Sequence, residues 1–258
     1  MIRFWKVLLL VSFTVALMAG GLLAEENTDA KIRVLFVSGG HPFDEAGFKA
    51  MLDSFPQIQY QHVRFPDAWS LMKPELAKDY DVLLLYDMYQ PELSDEQKAN
   101  FVQLFKTGIG VFALHHTVCG HIHWDTYYDM VGGRIFYEND RVFRGVEYPA
   151  STFVEGQDIP IEVVDKTHPI TRGVENFTIH DEAYGNILVH PEVKVLLKAN
   201  HPLQTAQTGW LWHYGKSPVF TLLLGHDRIA YENPNFRKIV IQGIEFLAKE
   251  RKNQAEER

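Results

Sequence analysis

The chain has 258 residues, 46% of them hydrophobic, with 25 Lys and Arg against 33 Asp and Glu for a formal net charge of −8. That acidic balance excludes nucleic acid and anionic membrane as natural partners, and a single cysteine excludes an intrachain disulfide. The apolar content is sufficient for one large core.

Residues 1–24 open with Arg3 and Lys6, run through the largely apolar stretch Val7 to Met18 and close on Leu22-Leu23-Ala24. This order predicts a secretory signal peptide cleaved near Ala24. The apolar run, interrupted by Ser12 and Thr14, is shorter than the roughly 20 residues of a membrane-spanning helix. The mature protein is therefore expected to be secreted or periplasmic and free of membrane once the signal is removed. Whether it forms a homo-oligomer is left open.

The first element of the mature chain is the apolar run Ile32 to Val37, read as a buried strand that breaks into the loop Ser38-Gly39-Gly40-His41. Asp44 to Ser54 follows with Phe48, Met51 and Leu52 at helical spacing, and Ile58 to Phe65 alternates as a second strand. Val82 to Tyr86 is a third strand. Ser94-Asp95-Glu96-Gln97 then reads as a capping box opening a helix with Phe101, Leu104 and Phe105 on one face, which stops at Thr107-Gly108. Gly110 to Leu114 is a fourth strand. Strand and helix alternating at this spacing predict βαβ units and a single-domain α/β fold, a mainly parallel sheet covered by helices on both faces.

From about Phe143 the pattern changes to shorter alternating segments, Val146 to Phe153, Ile159 to Val164 and Val193 to Leu197, expected to add antiparallel strands to the same sheet. Gly209 to His213 and Val219 to Leu224 flank a turn at 214–218 and read as a hairpin. An amphipathic helix from Asn235 ends in a charged tail over residues 250–258, so residues 31–249 form one domain.

In open parallel sheets, ligands bind beyond the carboxyl ends of the strands, and four histidine-bearing segments fall there. Gly39-Gly40-His41 follows the first strand, where the glycines let backbone approach a ligand. His115-His116 ends the fourth strand and leads into Thr117-Val118-Cys119-Gly120-His121-Ile122-His123, four histidines in nine residues. Imidazole serves both proton transfer and metal ligation. His180-Asp181-Glu182-Ala183-Tyr184 follows the short run Phe177 to Ile179 and puts two carboxylates at what reads as another strand end. Gly225-His226-Asp227 follows the most apolar strand of the second half, and Asp227 is a candidate to orient His226 or share a metal with it. Cys119 reads as a small buried residue rather than a nucleophile. His168-Pro169-Ile170-Thr171 reads as structure near a helix start, and Trp210, Trp212 and Tyr214 as aromatic packing that could also stack on a sugar.

Gly39-Gly40-His41, Gly110 to His116 with Tyr128 and Gly132-Gly133 downstream, His168-Pro169-Ile170-Thr171, Asp181-Glu182-Ala183-Tyr184 and Gly225-His226-Asp227 together resemble the ThuA-like (trehalose utilisation) family, from about Lys31 to Lys249. The resemblance implies a fold like that of class I glutamine amidotransferases, which carry a cysteine nucleophile at the turn after a central strand. Here His115-His116 stands at that turn and Cys119 does not replace the nucleophile, so amidotransferase chemistry is not expected. The family context implies catabolism of glycosides or disaccharides, including their 3-keto forms.

The expected catalytic residues are His116, His115, Glu182 and His226, with Gly39, Gly40, His41, Tyr184 and Trp212 binding a small sugar substrate. Acid–base chemistry on a 3-keto glycoside needs a base, an enolate stabiliser and a proton donor. Two rival readings are a zinc-dependent or other metal-dependent hydrolase with His41, His115, Asp181 and His226 as ligands, and a non-catalytic carbohydrate-binding domain resting on Trp210, Trp212 and Tyr214. No cofactor other than such a divalent ion is expected.

Overall fold

The computed structural model describes residues 30–256, so the signal segment expected at residues 1–24 lies outside the described residues. The first half alternates as expected: β1 (Ile32–Gly39), α1 (Glu45–Asp53), β2 (Ile58–Arg64), the single turn α2 (Leu76–Asp79), β3 (Val82–Asp87), α3 (Asp95–Phe105), β4 (Gly110–Leu114) and α4 (Asp125–Val131). Ser94 accepts from the Gln97 backbone while the Gln97 side chain accepts from Ser94, which forms the capping box at the start of α3. Short strands follow, β5 (Gly133–Arg134), β6 (Val142–Phe143) and β7 (Val146–Glu147). Then come β8 (Thr152–Val163), β9 (Phe177–Gly185), β10 (Leu188–Val189), β11 (Lys194–Ala199), β12 (Gln207–Tyr214), β13 (Ser217–Leu222), α5 (Arg228–Glu232) and α6 (Pro234–Glu256).

One nine-stranded sheet runs in the order β2-β1-β3-β4-β13-β12-β11-β8-β9. The first five strands are parallel and the last four antiparallel. The order 2-1-3-4 continued by β13 is flavodoxin-like, with its switch point between β1 and β3. Both faces are apolar because both are covered. Phe36, Leu84 and Phe112 pack against Phe48 of α1 and Phe236, Ile239 and Leu247 of α6, and Leu35, Leu83 and Val111 against α3 and α4. Each such fully buried side chain contributes about 1.5–3 kcal/mol. No helix among the described residues is long and apolar enough to cross a membrane.

Four expectations need correction. Val146 to Phe153 and Ile159 to Val164 are not two strands: a single long strand, β8, spans Thr152–Val163, and Val146 belongs to a separate two-residue hairpin. The run Phe177 to Ile179 does not end before His180, since β9 continues to Gly185. His168 and Pro169 sit in a succession of turns rather than at a helix start. The tail after Lys249 continues α6 as helix to Glu256.

The second of these corrections shapes the site. β11 pairs only with Ile161 to Val163 of β8, so the rest of β8 is paired only with β9. That two-stranded ribbon returns over the carboxyl ends of β4 and β13, where Glu182 and Tyr184 meet His115.

Candidate functional site

Leaving β4, the chain turns at His115 with φ 53°, a left-handed conformation that favours glycine. His115 to Cys119 then form a single 3₁₀ turn whose residues are all buried. The sharp turn sends the two adjacent imidazoles in different directions, their ring planes 79° apart. His115 Nδ1 lies 2.8 Å from the Leu223 carbonyl. A carbonyl only accepts, so Nδ1 donates; in the neutral tautomer this leaves the lone pair at Nε2, and in the protonated ring Nε2 donates as well. Around Nε2 stand His226 Nδ1 at 3.2 Å, Glu182 Oε2 at 3.3 Å and the Tyr184 hydroxyl at 3.2 Å. Glu182 Oε2 is also 3.0 Å from His226 Nδ1, which closes a triangle of donor atoms.

Alternation along β9 explains which carboxylate takes part. Ile179, Asp181 and Ala183 face the core, while Glu182 and Tyr184, two residues apart, share the opposite face and point together at His115. Asp181 serves the site from behind. Its carboxylate accepts the backbone N–H groups of Gly225 at 2.7 Å and His226 at 2.9 Å. The Tyr86 hydroxyl donates to the Gly225 carbonyl at 2.6 Å and Tyr231 to the His226 carbonyl at 2.9 Å. Gly225 has φ 110°, and a Cβ there would lie 2.7 Å from the Phe236 ring. The backbone that carries His226 is thus held from three directions.

Electrostatics follow from this packing. Burial would raise the Glu182 carboxyl, but its hydrogen bonds to His115 and His226 hold it well below the usual carboxylate range. The Glu182 carboxylate raises His226 against its partial burial. Asp181 is raised by burial, opposed by His115 and by the backbone N–H groups it accepts.

His116 turns the other way, its ring packed edge-on against Tyr86 at 4.3 Å between centroids. His41, exposed on the loop after β1, lies 5.2 Å from it, centroid to centroid. Burial, reinforced by His115, His41 and His226, pushes the His116 imidazole well below its ordinary value, and a hydrogen bond to the Tyr86 backbone engages the ring. Its Nε2 is buried without a hydrogen-bond partner. The result is an imidazole kept neutral by burial, with an unpartnered Nε2, beside the donor triangle.

The structure brings together His115, His116, Glu182, Tyr184 and His226, with His41 at the rim. It does not bring in Asp181, which was expected as a metal ligand and is instead occupied by backbone N–H groups. Nor does His41 join the three donor atoms, which come from His115, Glu182 and His226. Asp227 caps α5 through the N–H groups of Ile229 and Ala230 rather than orienting His226. Gly40 uses its missing side chain for packing: a Cβ there would lie 2.2 Å from the Met88 carbonyl oxygen. Trp212 pairs with Val219, which pairs with Val111 near the start of β4, so it sits toward the opposite end of the sheet, where its Nε1 donates to the Asp129 carbonyl at 2.6 Å. Trp210 is core, donating to the Val131 carbonyl. Cys119 is buried, and burial raises its thiol.

Sequence reasoning missed Tyr86 and the Leu223 carbonyl, positioning groups from apolar segments, and Tyr231 on the short helix α5, none of them with a local signal. It also missed Asp87 at the end of β3, fully buried and 3.5 Å from His121 Nε2. A separate groove of about 570 Å³, lined by Lys31, Asp53 and Tyr60, lies at the other end of β1 and β2 and gathers no comparable cluster.

A family model described as ThuA, trehalose utilisation, matches residues 33–247. Among solved structures, the chain is similar to a putative ThuA-like protein from Parabacteroides merdae, with 18% identity, a TM-score of 0.70, and coverage of 85% of this chain and 90% of the other. A putative ThuA-like protein from Bacteroides uniformis gives 16% identity, a TM-score of 0.63 and coverage of 88% and 95%. A cytoplasmic protein from Salmonella typhimurium gives 10%, 0.57, and 84% and 99%. At these identities the likeness is one of fold. No curated protein matches the chain.

Proposed function

We propose that this chain, which belongs to the ThuA (trehalose utilisation) family, is an exported enzyme of carbohydrate catabolism that acts on 3-keto glycosides or keto-disaccharides by general acid–base chemistry. The family connects the chain to sugar use, and the leader-like residues 1–24 support export. The observation that carries the reading is the buried, unpartnered Nε2 of His116 next to the triangle formed by His115, Glu182 and His226.

A ketone at C3 of a glycoside makes the C2 proton acidic and places the C1 oxygen β to the carbonyl. In the proposed reaction His116 Nε2 takes the C2 proton, and the electron pair moves into an enolate whose oxygen is stabilised at the His115–His226 side of the pocket. Collapse of the enolate breaks the C1–O bond, and the departing oxygen takes a proton from the Tyr184 hydroxyl, which burial keeps protonated. Water then adds across the resulting double bond: its hydroxyl goes to C1, its proton returns to the Tyr184 oxygen, and His116 gives the proton it took back to C2, for a net hydrolysis that restores both groups.

The donor triangle also favours a second reading, metal-dependent hydrolysis of unmodified glycosides or esters. The carbohydrate-binding alternative is less favoured, because Trp210 is fully buried and the Trp212 ring packs on His190. Incubating the mature protein with trehalose and related glycosides and with their 3-keto forms, with and without chelator, tests the proposal. Turnover of the keto forms alone is expected; cleavage confined to unmodified glycosides would sink it.

A further inference from the structure

We infer that His115, Glu182 and His226 form a binding site for one divalent first-row transition ion, zinc foremost. His115 Nε2, Glu182 Oε2 and His226 Nδ1 lie 3.2, 3.3 and 3.0 Å apart, pair by pair. Metal–ligand bonds of about 2.0–2.2 Å to nitrogen and oxygen place neighbouring ligands roughly 3.0–3.4 Å apart in octahedral or tetrahedral geometry. The three atoms already stand at that spacing. Among the described residues this is the one group of three His, Cys, Asp or Glu that does so.

Three features separate the cluster from a casual ion pair. The Leu223 carbonyl fixes the tautomer of His115 so that its lone pair faces the other two donors, the arrangement by which metal-binding histidines are oriented. The backbone of His226 is clamped by Asp181, and its outward Nε2 faces Glu155 Oε1 at 3.7 Å, a carboxylate beyond a ligating imidazole. Finally, the donors approach from one side only. The His115 side chain is fully buried, whereas those of Glu182 and His226 remain 12% and 22% exposed toward the crevice. Three protein ligands on one side leave coordination positions for a substrate or water oxygen, as catalytic ions require. Two imidazoles and one carboxylate suit zinc or its first-row neighbours and not calcium or magnesium, which prefer oxygen.

In the proposed keto-sugar reaction such an ion would meet the developing enolate oxygen; that role rests on the functional reading, whereas the site itself rests on geometry alone. Binding is read without any substrate. Chelator-stripped protein in metal-free neutral buffer is titrated calorimetrically with zinc chloride and melted with and without one equivalent. One equivalent should bind and Tm should rise. Glu182→Gln and His226→Ala should each weaken zinc by roughly a hundredfold or more and abolish the Tm rise. His180→Ala, which removes an exposed histidine paired with Asp158 on the same strand, should behave as wild type.

Absence of zinc uptake by the wild-type protein overturns the assignment, and so does wild-type affinity in folded Glu182→Gln. If either variant does not fold, the wild-type stoichiometry and the other variant decide. Zinc uptake without turnover of any keto glycoside would sink the functional reading and leave the site standing; turnover by stripped protein that takes up no zinc would do the reverse.

Discussion

Asp181 accepts the backbone N–H of His226 at 2.9 Å, while Glu182, the next residue on the same strand, meets the side chain of that histidine at 3.0 Å. Consecutive strand residues point to opposite faces, so one strand grips His226 from behind and in front. In Asp181→Asn one of the two oxygens becomes an NH₂ facing a backbone N–H. The variant should lose about 1–3 kcal/mol of stability for the stranded donor, and zinc affinity should fall about 10–100-fold. Denaturant unfolding and calorimetry check the two effects; unchanged zinc affinity would show that the clamp does not position His226.

His116→Ala should lower Tm through the lost packing on Tyr86, and the folded variant should lose about 10²–10⁴ in kcat on a 3-keto glycoside. Thermal unfolding and initial rates measure this. Full activity in the folded variant would remove His116 as the base.

Trp212 was expected to bind substrate and instead packs against His190, with ring centroids 4.2 Å apart, toward the far end of the sheet. Trp212→Ala should lower Tm through lost packing while leaving KM unchanged. A raised KM at unchanged stability would return Trp212 to the substrate site.

Asp87 and His121 form a buried pair whose titrations oppose each other. Burial raises Asp87 from 3.8 to about 7 and lowers His121 from 6.5 to about 3. Between pH 4 and 6 the folded pair holds one proton, and so does the unfolded pair, on the imidazole, so the two slopes cancel. In Asp87→Asn only His121 remains. Its folded value is depressed, so its contribution is present above pH 6.5 and is lost as pH falls toward 3. Relative to wild type, stability should drop on acidification from pH 6.5 to 4 by up to about 1.4 kcal/mol per pH unit. His121→Gln leaves Asp87, whose raised value gives stability present below pH 3.8 and lost as pH rises through 7, the opposite slope. Denaturant unfolding across pH 4 to 7 measures both, and parallel profiles in the two variants would show that the pair is not coupled to folding.

Much of the architecture was legible in the chain. Apolar runs of strand length, alternating with helical periods and punctuated by Gly39-Gly40, Ser94 and Gly108, specify βαβ units through local physics alone, and the alternation marked the parallel half of the sheet correctly. The carboxyl ends of β1, β4 and β13 were legible for the same reason, and with them His41, His115, His116 and His226. The second half was harder to read. Whether β9 stops at Ile179 or runs to Gly185 depends on its pairing with β8, a partner that no local pattern reveals.

The sequence by itself therefore determined the fold class and the stock of imidazoles and carboxylates, because burial periodicity and residue chemistry are local properties. Only the tertiary structure decided their roles. The left-handed turn at His115 separated two adjacent histidines, and the return of the β8–β9 ribbon chose Glu182 over Asp181 by the face each presents. The Leu223 carbonyl, invisible as a signal in the sequence, set which nitrogen of His115 looks into the pocket. Those choices come from contacts between residues far apart in the chain, which a one-dimensional pattern cannot encode.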